Sequence, residues 1–149
     1  MLHVYIDADA CPVKDEVYRV ADRYGLPVTL VANSYMRYPT GGKVTLVVVE
    51  KGLDEADDRI VALAGPDDIV ITADIPLAAR CLDEGARVLG HTGRPFTKDN
   101  VGEALASRQL LKQLRDQGVM GGGPPPFGKK ERSQFLQQLD QMIQAIKRG

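Results

Sequence analysis

The side chains in this sequence best suited to chemistry are five aspartates: Asp7 and Asp9 in Asp7-Ala8-Asp9, Asp54 and Asp57 in Asp54-x-x-Asp57, and Asp74 in Thr72-Ala73-Asp74. Carboxylates gathered in one cleft repel each other unless a cation neutralises them. Hard divalent ions such as Mg²⁺ or Mn²⁺ take oxygen ligands and keep positions for water and a substrate phosphate, so they are the cofactors such a cleft would hold. A lone aspartate after a strand is commonly a turn residue or a helix cap. Asp54 is a good candidate N-cap on that ground, and Asp58 reads as solvated. Acids after two different strands, at Asp7-Ala8-Asp9 and at Asp74, are harder to explain by capping alone. Thr72 adds either a hydroxyl ligand or a partner for a backbone group. Cys11 could be a nucleophile, but neither His3 nor His91 is placed to be its base, which favours a small packed residue.

These acids need strands and helices to position them. Leu2 to Ile6 reads as a buried strand that stops at Asp7. Pro12 opens a helix with Val13, Val17, Val20, Ala21 and Tyr24 on one face, and Gly25 ends it. Its free N–H groups offer a place for a phosphate oxygen. Val28 to Ala32 is a second strand, Asn33 to Lys43 a loop, and Val44 to Val49 the strongest strand signal in the chain. A helix over Leu53 to Ala64 follows, then a strand over Asp68 to Thr72, a helix over Pro76 to Leu82, and a strand over Ala86 to Leu89. This alternation predicts right-handed βαβ crossovers and a mainly parallel five-stranded sheet. Continuous apolar character in the third and fourth strands predicts burial on both faces. In such sheets ligands bind beyond the carboxyl ends of the strands, where these aspartates fall if the first strand is central.

After His91 the pattern changes to a longer helix, about 99–117, and then Gly121-Gly122-Gly123-Pro124-Pro125-Pro126, a linker over about 118–129. A last helix over about 130–147 carries Phe135, Leu139, Met142, Ile143 and Ile146 as one apolar stripe. Packing back on the same domain is the plain reading of that stripe, with a lid or a homodimer contact as its rivals.

The chain has 149 residues, enough to bury a core without disulfides or zinc, and reads as a single domain with a core over about 1–117. Two cysteines with no Cys-x-x-Cys pair argue against a zinc finger or a disulfide scaffold. No apolar run approaches the roughly 20 residues of a membrane span, and the start lacks a signal-peptide layout, so a cytoplasmic protein with no membrane partner is expected. The net charge of −1 is an average over two unlike parts. Met1 to His91 holds 9 Lys+Arg against 15 Asp+Glu, whereas Thr92 to Gly149 holds 10 against 5. An acidic body with a basic tail suits acids that grip metal and a tail that attracts phosphate, although ordinary surface variation gives the same balance.

Asp7-Ala8-Asp9-Ala10-Cys11-Pro12, Val31-Ala32-Asn33, Asp54-x-x-Asp57 and Ile71-Thr72-Ala73-Asp74-Ile75-Pro76-Leu77-Ala78 together resemble the YaiI/YqxD family of bacterial proteins. The likeness extends to Gly122-Gly123-Pro124 and the final helix. That family is grouped with PIN-like nuclease domains, which implies a three-layer α/β/α sandwich whose acidic cluster holds Mg²⁺ or Mn²⁺ for hydrolysis of RNA. The resemblance maps Asp7 onto the acid after the first strand, Asp57 onto the acid in the helix after the third, and Asp74 onto the acid after the fourth. Asp9 and Asp54 are the family's own additions. No motif marks the basic groove of a nuclease, which leaves the basic tail to supply it.

The first functional expectation is therefore a metal-dependent nuclease. Asp7, Asp9, Asp57 and Asp74 would be catalytic, and the same four would hold the ion together with Asp54. Asn33, Arg37, Thr72, Lys129, Lys130 and Arg132 are the candidate substrate contacts, solvated surface being the simpler reading of the four basic ones. A haloacid-dehalogenase-like phosphatase is a second reading of Asp7-Ala8-Asp9, although Ala10-Cys11 stands where that superfamily has Gly-Thr. The third is a non-catalytic module that holds RNA or a protein partner, in keeping with the near-neutral charge.

Overall fold

Short β-branched runs form the sheet in this computed structural model, which describes residues 2–52, 54–103, 105–107 and 127–149. The strands are β1 (Val4–Asp7), β2 (Val28–Ala32), β3 (Val44–Val48), β4 (Ile69–Ile71), β5 (Arg87–Leu89) and β6 (Pro95–Phe96). The helices are α1 (Lys14–Tyr24), α2 (Glu55–Leu63), α3 (Ile75–Asp83), α4 (helical at 98–103 and 105–107) and α5 (Lys129–Arg148), with a 3-10 turn at Ala8–Ala10. The strand order is β3-β2-β1-β4-β5-β6. Every neighbouring pair is parallel except β5 with β6. From β1 the chain builds outward through β2 and β3, then crosses to β4 on the other side. Strand order thus reverses between β1 and β4, whose carboxyl ends open the crevice in which such sheets bind ligands.

The sheet carries one strand more than the five expected. Two residues, one of them a proline, give no periodic signal, and proline is tolerated because β6 forms an edge. Side chains alternate between the two faces. Val4 and Ile6 of β1 and Val28, Leu30 and Ala32 of β2 meet α1 through Val17 and Val20 and α5 through Phe135, Leu139 and Ile143. Tyr5, Val31 and Val70 point the other way, toward Ile60 of α2, Leu77 and Cys81 of α3 and Val101 of α4.

β3 corrects a sequence expectation. Its apolar run predicts burial on both faces, yet Thr45 is exposed and Val48 is 51% exposed. The reason is position: β3 is outermost, and α2 packs over β1 and β2 instead. α1 begins at Lys14, two residues after the proline expected to open it. It ends where Gly25, at φ 66°, turns the chain left-handed, so that its N–H returns to Asp22 and that of Leu26 to Ala21.

In α5 the predicted apolar stripe is buried within the chain, with Phe135, Leu139 and Ile143 fully covered against α1 and the sheet. The turn between β5 and β6 presses on α5 so closely that a Cβ on Gly93, at φ 87°, would come within 2.8 Å of the Gln134 carbonyl. The later part of the helix expected over 99–117 lies outside the described residues, as does the linker expected over 118–129 apart from its last residues. Among the described residues no helix is long and apolar enough to cross a membrane.

Candidate acidic site

β1 is buried until its last residue, Asp7, emerges half-buried at the carboxyl rim of the sheet. Thr72 follows β4, is fully buried, and donates its hydroxyl to Asp7 Oδ2 at 2.8 Å. The same Oγ1 accepts the Asp74 N–H at 3.0 Å. Thr72 therefore satisfies a backbone group, and in the same stroke it orients Asp7. Asp74 is the N-cap of α3, its Oδ1 accepting the Leu77 N–H at 3.0 Å. Capping thus accounts for half of the Asp74 carboxylate. Among the described residues, Asp7 Oδ1 and Asp74 Oδ2 accept no hydrogen bond.

Asp57 reaches this rim from the first turn of α2. Partial burial pushes its carboxyl up to about 6, and the negative charges of Asp74, Asp7 and Asp54 push in the same direction, while Arg80 opposes them. The Asp7 carboxyl is raised as well, first by burial and then by Asp74 and Asp9, against the lowering bond from Thr72. Asp7, Asp57 and Asp74 thus lie in one another's field. Asp54 takes the expected N-cap position of α2, with φ 67° and no side-chain cap bond. Asp58 is not merely solvated: it pairs with Arg80 at 2.9 Å.

Asp9 performs a different task. Both of its oxygens accept the Asn33 N–H, at 3.1 and 3.0 Å, tying the turn after β1 to the end of β2. Asn33 Oδ1 is buried with no partner among the described residues. The donors at the rim are all oxygens, the chemistry a hard cation selects. Yet among the described residues no three His, Cys, Asp or Glu side chains stand close enough to hold a metal ion as they are. The rim gathers its carboxylates within Coulomb range but short of ligand distance.

The sequence model of the family described as "Uncharacterized BCR, YaiI/YqxD family" matches residues 5–145. The chain belongs to the YaiI/YqxD family. A UPF0178 protein of Parvibaculum lavamentivorans is 58% identical over 149 residues, covering 99% of this chain and 97% of that one. UPF0178 protein amb2838 of Paramagnetospirillum magneticum is 54% identical over 148 residues, 99% and 98% of the two chains. UPF0178 protein RC1_2062 of Rhodospirillum centenum is 53% identical over 153 residues, 100% and 99%. No solved structure matches.

In this YaiI/YqxD protein the basic candidates divide. Arg37 is exposed on the loop after β2, and Lys129 and Lys130 are exposed in the first turn of α5. Arg132 is committed to the fold instead: Nη1 donates to the Pro12 carbonyl at 2.7 Å and pairs with Glu16 at 2.8 Å, with the guanidinium over the Phe127 ring. Burial pushes the Cys11 thiol up to about 11, the wrong direction for a nucleophile. Sequence reasoning passed over Arg80 and Glu16. A signal for Glu16 existed, because it falls on the helical stripe of Val13, Val17 and Val20, where a carboxylate needs a partner.

Proposed function

We propose that this YaiI/YqxD protein is a cytoplasmic, divalent-cation-dependent phosphodiesterase of the nuclease type, built as a PIN-like three-layer sandwich. One observation carries the reading: Asp7, Asp57 and Asp74, from three separate elements, are brought into mutual repulsion at the crevice where strand order reverses. Folding gains nothing from that repulsion, and a cation would relieve it. Asp7, Asp57 and Asp74 would hold Mg²⁺ or Mn²⁺, with Asp54 and Asp9 at the margin. When bound, the ion supplies Lewis acidity toward water and phosphate. Thr72 keeps Asp7 Oδ1 turned to the cleft by holding Oδ2. In the metal-free protein the Asp57 carboxyl is raised to about 6, so a bound cation would have to displace its proton. The exposed Arg37, Lys129 and Lys130 are the side chains that would meet the phosphates of RNA or another nucleic acid, with Asn33, whose N–H is held by Asp9, as a further contact.

Calorimetric titration with Mn²⁺, paired with cleavage of labelled RNA and DNA oligonucleotides, tests the reading. Wild type should bind and cleave, and Asp7→Asn and Asp74→Asn should lose both. Full metal-dependent cleavage by those variants sinks it. A second reading, a module that holds RNA or protein without cleaving, draws on the lack of a ready-made ligand trio among the described residues. RNA binding in Mg²⁺ with no product across varied substrates would establish it.

A further inference from the structure

The two edges of the sheet are unlike. β6 is two residues long and contains a proline, so it offers little for another strand to pair with. β3 is five residues long, Val44-Thr45-Leu46-Val47-Val48, with no charge, proline or bulge, and among the described residues no strand lies beyond it. The phase of its hydrogen bonds is fixed by β2. Lys43 O accepts the Val28 N–H, and the Val49 N–H donates to Ala32 O. Odd-numbered residues of β3 therefore turn their backbone groups toward β2, and Val44, Leu46 and Val48 turn theirs to the open edge.

We infer that this edge is the seat of a second copy of the chain, the two β3 strands pairing antiparallel about a two-fold axis at Leu46. Only residues whose backbone groups both face outward can exchange hydrogen bonds, which limits the register to three choices near the strand centre. Centring on Leu46 sets Leu46 against Leu46 and Val44 against Val48, which covers the most exposed apolar side chain of the strand, Val48 at 51%. It also sets Lys43, whose Nζ donates to the Gly25 carbonyl of its own chain at 2.8 Å, opposite Val49 of the other copy. Centring on Val47 would put Lys43 opposite Lys51, and centring on Thr45 would set Val48 against Gly42, leaving it bare. An interface of this kind is isologous and closes at two chains, which removes an edge that would otherwise template aggregation. The inference stands independently of the nuclease reading.

Sedimentation and cross-linking test it. Wild type should run at twice the 16.2 kDa chain mass. Val48→Lys changes an exposed residue and should run as one folded chain with an unchanged thermal transition, because it sets ammonium groups in the apolar seam. Leu46→Cys should cross-link to itself through a short bismaleimide, since a hydrogen-bonded antiparallel pair holds its Cα atoms about 5.5 Å apart. Val48→Cys should not cross-link to itself. The native thiols, Cys11 and Cys81, are buried and do not compete. A wild type that stays monomeric up to its solubility limit, a dimer indifferent to Val48→Lys, or equal cross-linking at both cysteine positions overturns the inference.

Discussion

Where α5 crosses α1, charges meet opposite charges. Arg132 pairs with Glu16 at 2.8 Å, Arg23 with Asp140 at 3.4 Å, and Gln144 donates to both Asp140 and Tyr24. At the carboxyl rim, carboxylates from β1, α2 and α3 meet one another instead. Both regions are assembled from distant parts of the chain, yet one sets opposite charges together and the other sets like charges together. The contrast teaches which region stability explains and which it does not. The seam should accordingly show the largest losses on mutation. Phe135→Ala empties a fully buried aromatic position between α5, α1 and the sheet, and should lower unfolding free energy by about 3–5 kcal/mol in urea titration. A loss under about 1 kcal/mol would show that α5 is not part of the cooperative unit.

The rim should behave in the opposite sense, gaining stability from a ligand. Mn²⁺ at about a hundredfold above its dissociation constant should add roughly 2.7 kcal/mol, read as a rise in Tm. The rise should vanish in Asp7→Asn, and a rise that persists there places the ion elsewhere. Arg132→Ala comes next in size. It strands the Glu16 carboxylate, a side chain only 10% exposed, but the Arg132 side chain is 43% exposed and screening tempers the effect, so the cost should be about 1–2 kcal/mol. Adding Glu16→Gln should recover part of that cost. A double-mutant cycle showing strict additivity would mean that the pair is not coupled.

Much of this contrast is local information, and the rest is not. The strands follow from short β-branched runs alternating with helical stripes, a pattern written within windows of ten or so residues, whereas the central place of β1 was only a supposition until the strand order was known. The aspartates at strand ends were legible for the same reason. The engagement of Arg132 was not, because its partner lies 116 residues away and no local spacing encodes it. Exposure of β3 was missed because an apolar run reports what a strand can bury, while strand order decides what covers it. Asp74 shows a third kind of limit: one carboxylate caps α3 with Oδ1 and faces the rim with Oδ2, so that capping and site chemistry were never alternatives.

The smallest predicted effect separates the two regions most cleanly, because it is a gain. In the fold the Asp57 carboxyl is raised to about 6 from an ordinary 3.8, chiefly by burial and then by the neighbouring aspartates. A raised acid binds its proton more tightly in the folded chain than in the unfolded one, so its ionised form opposes folding. Below about pH 3 both states are protonated and Asp57 costs nothing. As pH rises through 3.8 toward 6 the unfolded chain gives up the proton first, stability falls, and well above 6 the cost is constant. Asp57→Asn removes the charge and should stabilise the metal-free protein at pH 7 by about 1 kcal/mol, solvent screening at this half-exposed side chain holding the figure down. The gain should shrink to nothing on titration toward about pH 3, where the protonated acid and the amide are near equivalents. Should Asp57→Asn prove destabilising at pH 7 in the absence of metal, the rim carboxylates would be structural partners after all, and the cation site would have lost its main physical argument.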